Sequence, residues 1–221
     1  MQNKHHKAFN PLIFEKSASG DEVYYDVFSR LLKERIIFVG EEITDELANS
    51  VVSQLLWLDK QSEEERIEMY INSEGGNLIS MFAIYDIMQH VKAPVYTFAL
   101  GTAASAAAVL LAAGKKGCRF SLPSSEIMIH QPLCFGIEGQ VTDITINAKQ
   151  MERNKKKMLN ILARHTNKTY EMVERDCERD FFMDPPLAIK YGIIDEITGP
   201  SKDKEMPPVM HEKPFRKNWR R

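Results

Sequence analysis

Cysteine is scarce and unpatterned in this chain. Cys118, Cys134 and Cys177 stand in unrelated local contexts, with no CxxC spacing. That argues against a disulfide framework or a zinc site, favours a reducing compartment, and leads us to read all three thiols as buried. An excess of charge of either sign is also missing: 29 basic residues oppose 31 acidic ones, for a net charge of −2. Such a balance supplies no overall footprint for nucleic acid. The opening stretch, MQNKHHKAFNPLIFEKSASG, lacks the long apolar core and small-residue cleavage site of a secretory leader. One long uncharged stretch, Ala93 to Gly114, is interrupted by Pro94 and Gly101 and is rich in alanine. It reads as buried core, not as a membrane span.

What is present is alternation. RIIFV (35–39), IEMYI (67–71), VYTFA (95–99), CRFSL (118–122) and EIMIH (126–130) read as short apolar strands. Helical patterns intervene: one opened by Thr44 with Ala48, Val51, Val52, Leu55 and Leu56 inward, one from about Leu78 to Val91, one beginning near Ser105. Strand, glycine turn and helix in succession predict an α/β fold around a largely parallel sheet, and 221 residues suffice for one core. A single long helix is predicted from Thr142 to about Thr166, with Ile144, Ala148, Met151, Met158 and Leu162 on one face. Lys149, Arg153, Lys155, Lys156 and Lys157 run along it and read as a solvated face, not a nucleic-acid site. A helix this long in a small domain suggests an oligomer interface. The segment before Asp21 is expected to be partly mobile, and the charged, proline-containing tail from Gly199 to be disordered.

The chemistry begins at Ser105. A serine opening a helix is ordinarily a cap. The same position also suits a nucleophile, because the N–H of Ala106 has no intrahelical acceptor and points where an oxyanion would form. Gly75-Gly76, after a strand, can bring a second N–H close to a carbonyl, although an ordinary turn would read the same way. His130 closes the EIMIH strand, and a base is what a serine hydroxyl requires. Asp180, in ERDCERD, would complete the set, but Asp176 and Glu178 compete with it on sequence grounds alone. The order Ser, His, Asp differs from that of trypsin-like, subtilisin-like and α/β-hydrolase enzymes, and no GxSxG elbow exists.

Taken together, YYDVFSRLLKERIIFVG, YINSEGG, SMFAIYDIMQ, GTAASAAAVLLAAG, RFSLPSSEIMIHQPL, GQVTDI and ERDCERDFFMDPPLAIKYGIID resemble the proteolytic subunit family of the Clp protease (ClpP) over roughly 21–197. That resemblance implies a ClpP/crotonase-like α/β fold of repeated ββα units, with Thr142–Thr166 as a protruding handle helix. It implies Ser105 as nucleophile, His130 as general base, Asp180 as the group orienting the imidazole, and the N–H groups of Gly76 and Ala106 as the oxyanion hole. Gln140, Thr142, Glu178 and Arg179 would couple ring–ring contact to activity. The implied domain plan is an arm over 1–20, a protease domain over 21–198 and a tail over 199–221. No cofactor and no metal are expected. The implied partners are copies of the chain in two stacked seven-membered rings, an AAA+ unfoldase of the ClpX, ClpA or ClpC type, unfolded protein substrates, and in some systems a second ClpP-like subunit; neither nucleic acid nor membrane is among them. The implied location is the cytoplasm, or the stroma or matrix of an organelle of bacterial descent.

Three features depart from the family pattern. Glu74 stands where proline is usual and puts a carboxylate beside the substrate groove. Ala106-Ala107 replace Met-Gly after the serine, and the segment 134–137 is one residue longer. A non-catalytic ring subunit and a crotonase-type acyl-CoA enzyme are the rival readings.

Overall fold

The computed structural model describes residues 11–16, 20–134, 136 and 138–199. The expected disorder of the tail beyond Gly199 and most of the N-terminal arm lie outside those residues, as do Phe135 and Ile137 of the lengthened segment. The described piece of the arm is strand β1 (Leu12–Lys16), which pairs antiparallel with β2 (Glu22–Asp26).

Parallel pairing dominates the main sheet. Its order is β3 (Ile36–Val39), β4 (Ile67–Ser73), β5 (Val95–Ala104), β6 (Arg119–Ser121) and β9 (Glu196–Ile197). Crossover helices α2 (Asp45–Gln61) and α3 (Leu78–His90) connect the first three strands. Thr44 caps α2 through its side chain and Asn77 caps α3, each satisfying N–H groups that no helix can satisfy itself. The inner face of α2 is Ala48, Val51, Leu55 and Leu58; Leu56, expected inward, is 42% exposed, because it falls off the stripe that faces the sheet.

Strand β5 determines where the site lies. It does not end near Ala99, as its apolar run suggests, but continues through Gly101 to Ala104. Residues Thr97 to Ala99 pair with β6, whereas Thr102 to Ala104 pair with β7 (Glu126–Ile129). The strand changes partner at Gly101, where φ is +56 and an added Cβ would lie 2.7 Å from Asn72 Oδ1. Asn72 Oδ1 also accepts the Thr102 N–H at 3.2 Å. Gly101 is therefore a bend within a strand, not the turn that opens a helix.

Helix α4 (Ala106–Ala112) is buried at every residue and packs against α3 and α5 (Val141–Thr166). Its small side chains are what allow a helix with no exposed face to fit there. Residues 141–150 of α5 are all exposed, whereas Met158, Leu159, Ile161 and Leu162 are buried. The first part of this helix is thus uncovered, and the predicted inward face holds only for its second half. Short elements follow: α6 (Tyr170–Asp176), β8 (Phe181–Met183) and α7 (Pro185–Tyr191). Strand β8 runs antiparallel to β7.

Beneath α5 an arginine ties the layers together. Arg119, 3% exposed, holds Asp195 through Nε at 2.8 Å and Nη2 at 2.6 Å, and its Nη1 donates to the carbonyls of Ala112 and His165. Among the described residues no helix is long and apolar enough to cross a membrane.

Candidate active site

Ser105 sits at the junction of β5 and α4. Its N–H continues the β5/β7 pairing by donating to the Met128 carbonyl at 2.8 Å, so the strand holds it on one side. Its φ of +55 and ψ of −121 make the serine itself the sharp turn into the helix. A non-glycine residue held in this region is strained by roughly 1–3 kcal/mol, which surrounding structure must offset. The capping reading fails on geometry, because the hydroxyl caps nothing in α4. Instead Ser105 Oγ lies 2.8 Å from His130 Nε2.

The ladder between β7 and β8 supplies the third group. Ile129 pairs with Phe181, so the next residue on each strand, His130 and Asp180, continues opposite its counterpart. His130 Nδ1 lies 3.0 Å from Asp180 Oδ1. A carboxylate only accepts, which puts the imidazole proton on Nδ1 and leaves the Nε2 lone pair to accept the serine O–H. Register decides among the competing acids: Asp176 ends α6 and its carboxylate meets Arg175, while Glu178 is met through its backbone carbonyl.

Gly75 and Gly76 approach the same point from β4. An added Cβ on Gly75 would lie 2.7 Å from Ser105 Cβ and 3.0 Å from Ala106 N; on Gly76 it would strike the Ile43 backbone at 2.5 Å. The chain therefore passes against the serine turn only because both residues are glycine. The Gly75 N–H is taken by Ser73 Oγ at 3.1 Å. At the bridge between Ile43 and Gly76, the Ile43 N–H goes to the Gly75 carbonyl and the Asn77 N–H to the Ile43 carbonyl, so neither bond uses the Gly76 N–H. Ala106, first in its helix, has no intrahelical acceptor for its own N–H. A cleft of roughly 570 Å³ opens beside these glycines, and Glu41, Glu42, Glu74 and Thr102 help to line it.

Of the other predicted positions, Gln140 precedes α5 without a side-chain capping bond, and Thr142 is exposed in its first turn. Glu178 and Arg179 are exposed in the turn before Asp180. The expectation that every cysteine is buried holds for Cys177 alone; Cys118 is half-buried and Cys134 exposed. Burial, with the nearby Asp176 charge, pushes the Cys177 thiol up to about 12, so it is no nucleophile. Among the described residues no cluster of potential metal ligands forms.

Sequence reasoning did not single out Gln131. Its N–H donates to the Cys177 carbonyl at 2.6 Å, its side-chain Nε2 donates to the Glu178 carbonyl at 3.2 Å, and its Oε1 accepts from Lys155 Nζ at 2.8 Å. Its place directly after His130 was the one available signal.

A family model described as Clp protease matches residues 19–201. The chain belongs to the Clp protease family. It is 46% identical over 200 residues to the ATP-dependent Clp protease proteolytic subunit of Bdellovibrio bacteriovorus, covering 90% of this chain and 94% of that one. Membership makes it a serine peptidase and accounts for the mixed α/β architecture with its parallel sheet. The match takes in the whole span from β2 to β9, so the serine turn, the glycine loop and the β7/β8 ladder all fall inside the Clp protease region.

Proposed function

We propose that this chain is the proteolytic subunit of a self-compartmentalised endopeptidase, cleaving unfolded polypeptides through an acyl-enzyme on Ser105. The observation that carries the reading is the continuous relay from Ser105 Oγ through His130 to Asp180, at 2.8 and 3.0 Å. His130 Nε2 takes the hydroxyl proton as Oγ bonds to the scissile carbonyl carbon, and Asp180 holds the imidazolium. The N–H groups of Gly76 and Ala106 meet the oxyanion. The C–N bond then breaks as His130 returns the proton to the leaving amine. Water, deprotonated by the same imidazole, releases the acyl group.

The particle belongs to the same proposal. Residues 21–198 form the protease domain between an arm over 1–20 and a tail over 199–221. The exposed first half of α5, with Val141 and Ile146 bare, supports its use as a handle between two rings. Gln140 and Thr142 stand at the exposed N-terminal end of that helix, and Glu178 and Arg179 in the turn before Asp180, where ring contact would reach the site. Heptameric rings, stacked in pairs, would admit only chains delivered by an ATP-dependent unfoldase of the ClpX, ClpA or ClpC type, in the cytoplasm or an organelle of bacterial descent. No nucleotide-binding loop is evident in this sequence, so ATP turnover falls to the partner. The relay of side chains favours this reading over a non-catalytic ring subunit or an acyl-CoA enzyme, neither of which uses a Ser-His-Asp set.

The test joins three measurements: native mass, hydrolysis of a short fluorogenic peptide, and labelling by a fluorophosphonate. Wild type should assemble, hydrolyse and label; Ser105→Ala should assemble normally, lose labelling and fall in turnover by about 10⁴–10⁶. Peptide hydrolysis surviving in Ser105→Ala would refute the acyl-enzyme.

A further inference from the structure

The ladder that aligns His130 with Asp180 stops one residue short of both. Its last pair is Ile129 with Phe181, and beyond it the chain from Cys177 to Asp180 is an exposed turn apart from Cys177 itself. What closes that open end is Gln131. Its backbone N–H and its side-chain Nε2 each hold a carbonyl of the turn, at Cys177 and Glu178. Two bonds from one residue thus fix the approach to Asp180 from the side the strands leave free.

A glutamine amide can be turned either way round, and only one orientation donates to the Glu178 carbonyl. Lys155 selects it. An ammonium donates and never accepts, so Lys155 Nζ at 2.8 Å keeps Oε1 toward α5 and Nε2 toward the turn. Charge assistance makes this the stronger of the two side-chain bonds. Lys155 departs here from the solvated face expected of the basic run: it is half-buried, whereas Lys156 and Lys157, the next two residues, are exposed and meet Glu152 and Asp86. Among the described residues no acidic side chain is bonded to Lys155 in the way Glu152 meets Lys156; its hydrogen bond goes to a neutral amide beside the histidine.

We infer that Lys155 and Gln131 are positioning residues for the hydrolytic reaction, forming a clip through which the handle helix sets the placement of Asp180 against His130. The inference rests on the function proposed above and deepens it. Movement of α5 at Lys155 releases the amide, the amide releases the Glu178 carbonyl, and Asp180 loses its fixed position two residues later. Neither Lys155 nor Gln131 lines the cleft beside the glycines, so their removal should affect the chemical step and leave binding alone.

The experiment uses the full-length assembled protein, a short fluorogenic peptide and a fluorophosphonate. Wild type must first hydrolyse and label; failure at that stage rejects the proposed function and not the clip. Lys155→Met should then lower kcat about tenfold or more with KM within twofold, and slow fluorophosphonate labelling in parallel. Lys155→Arg, which keeps a charged donor, should recover kcat to within threefold of wild type. Gln131→Glu keeps a partner for Lys155 but sets a carboxylate against the Glu178 carbonyl, and should lose at least as much as Lys155→Met. In a double-mutant cycle, Lys155→Met combined with Gln131→Leu should be no worse than the poorer single variant, because both remove one clip. Independent, multiplying effects would overturn the inference, as would a Lys155→Met kcat within twofold of wild type, a loss appearing in KM alone, or equal impairment of Lys155→Met and Lys155→Arg. Dissociation of Lys155→Met in native mass would assign the lysine to the particle and overturn it too.

Discussion

Gly75→Ala is the substitution for which the structure fixes both the damage and its place. The added methyl would lie 2.7 Å from Ser105 Cβ, 2.8 Å from the Ala104 carbonyl oxygen and 3.0 Å from Ala106 N. Ordinary carbon contacts lie near 3.5–4.0 Å, so the loop and the serine turn must separate by about 1 Å. None of the three atoms belongs to a flexible side-chain tip; each is backbone or directly attached to it. The retreat therefore moves either the proposed nucleophile, Ser105, or the Gly76 N–H proposed as an oxyanion donor. Misplacement of that size costs about 10² in rate, and withdrawal of one oxyanion donor about 10²–10³. We expect kcat/KM to fall by about 10²–10³, with fluorophosphonate labelling slowed alongside. The fold should survive, since overpacking of about 1–3 kcal/mol and roughly 1 kcal/mol of backbone strain at φ +102 stay within a stability of about 5–15 kcal/mol. Gly117→Ala separates the two contributions. Its φ is +83 but nothing lies within 4 Å of the new methyl, so it should lower the thermal midpoint slightly and leave hydrolysis within twofold. A Gly75→Ala enzyme hydrolysing peptide within fivefold of wild type would refute the reasoning.

Three further outcomes are expected. Asp180→Asn, which keeps the shape but removes the charge and invites the wrong imidazole tautomer, should lower kcat by about 10³–10⁴ at unchanged native mass, read by peptide hydrolysis. Arg119→Met strips the bidentate partner from Asp195 and two donors from the carbonyls of Ala112 and His165; urea denaturation should show a loss of about 3–5 kcal/mol. Burial, followed by the positive charges of Arg119 and Arg164, lowers the His165 imidazole to about 4. The unfolded chain binds that proton below about pH 6.5 and the folded one only near 4, so stability falls as the pH drops through this window. Full shielding would make this about 3 kcal/mol, and partial exposure of the ring reduces it to about 1–2. Comparing denaturation at pH 7 and pH 4.5 in wild type and His165→Gln should show a smaller acid loss in the variant.

The long elements were legible because their patterns repeat often enough to be read. Helix α2 announced its cap at Thr44, and α5 announced both ends to within a residue. Ser105 was legible as a position but not as a conformation: the glycine expected to make the turn bends a strand four residues earlier, and the serine makes the turn itself. The reason is that β5 pairs with two successive partners, which no local pattern in VYTFALGTAA encodes. Choosing Asp180 over Asp176 and Glu178 depended on a three-residue strand, FFM, too short to show a period. The bond between Gln131 and Lys155 joins side chains 24 residues apart, one in the loop after β7 and one on α5. A side-chain contact of that kind leaves no trace in composition or spacing.

Exposure divides the proposed triad unequally. The His130 side chain is 12% exposed and that of Asp180 59%. An ion pair or hydrogen bond to so open a carboxylate is weak in itself, about 0–1 kcal/mol, because water competes for the same oxygens. The attraction between the two groups therefore cannot be what aligns them. Alignment has to come from the backbone on either side: the β7/β8 ladder up to Ile129 and Phe181, and the two carbonyls held by Gln131 on the far side. Covering Asp180 would strengthen its hold on the imidazole by lowering the local dielectric, provided the backbone is already in register. The exposed Glu178 and Arg179 lie next to it on that uncovered side, so a neighbouring subunit docking there would exclude water from Asp180 at the moment it fixes the turn. In that arrangement assembly would supply the dielectric and the fold the geometry, and neither would suffice without the other.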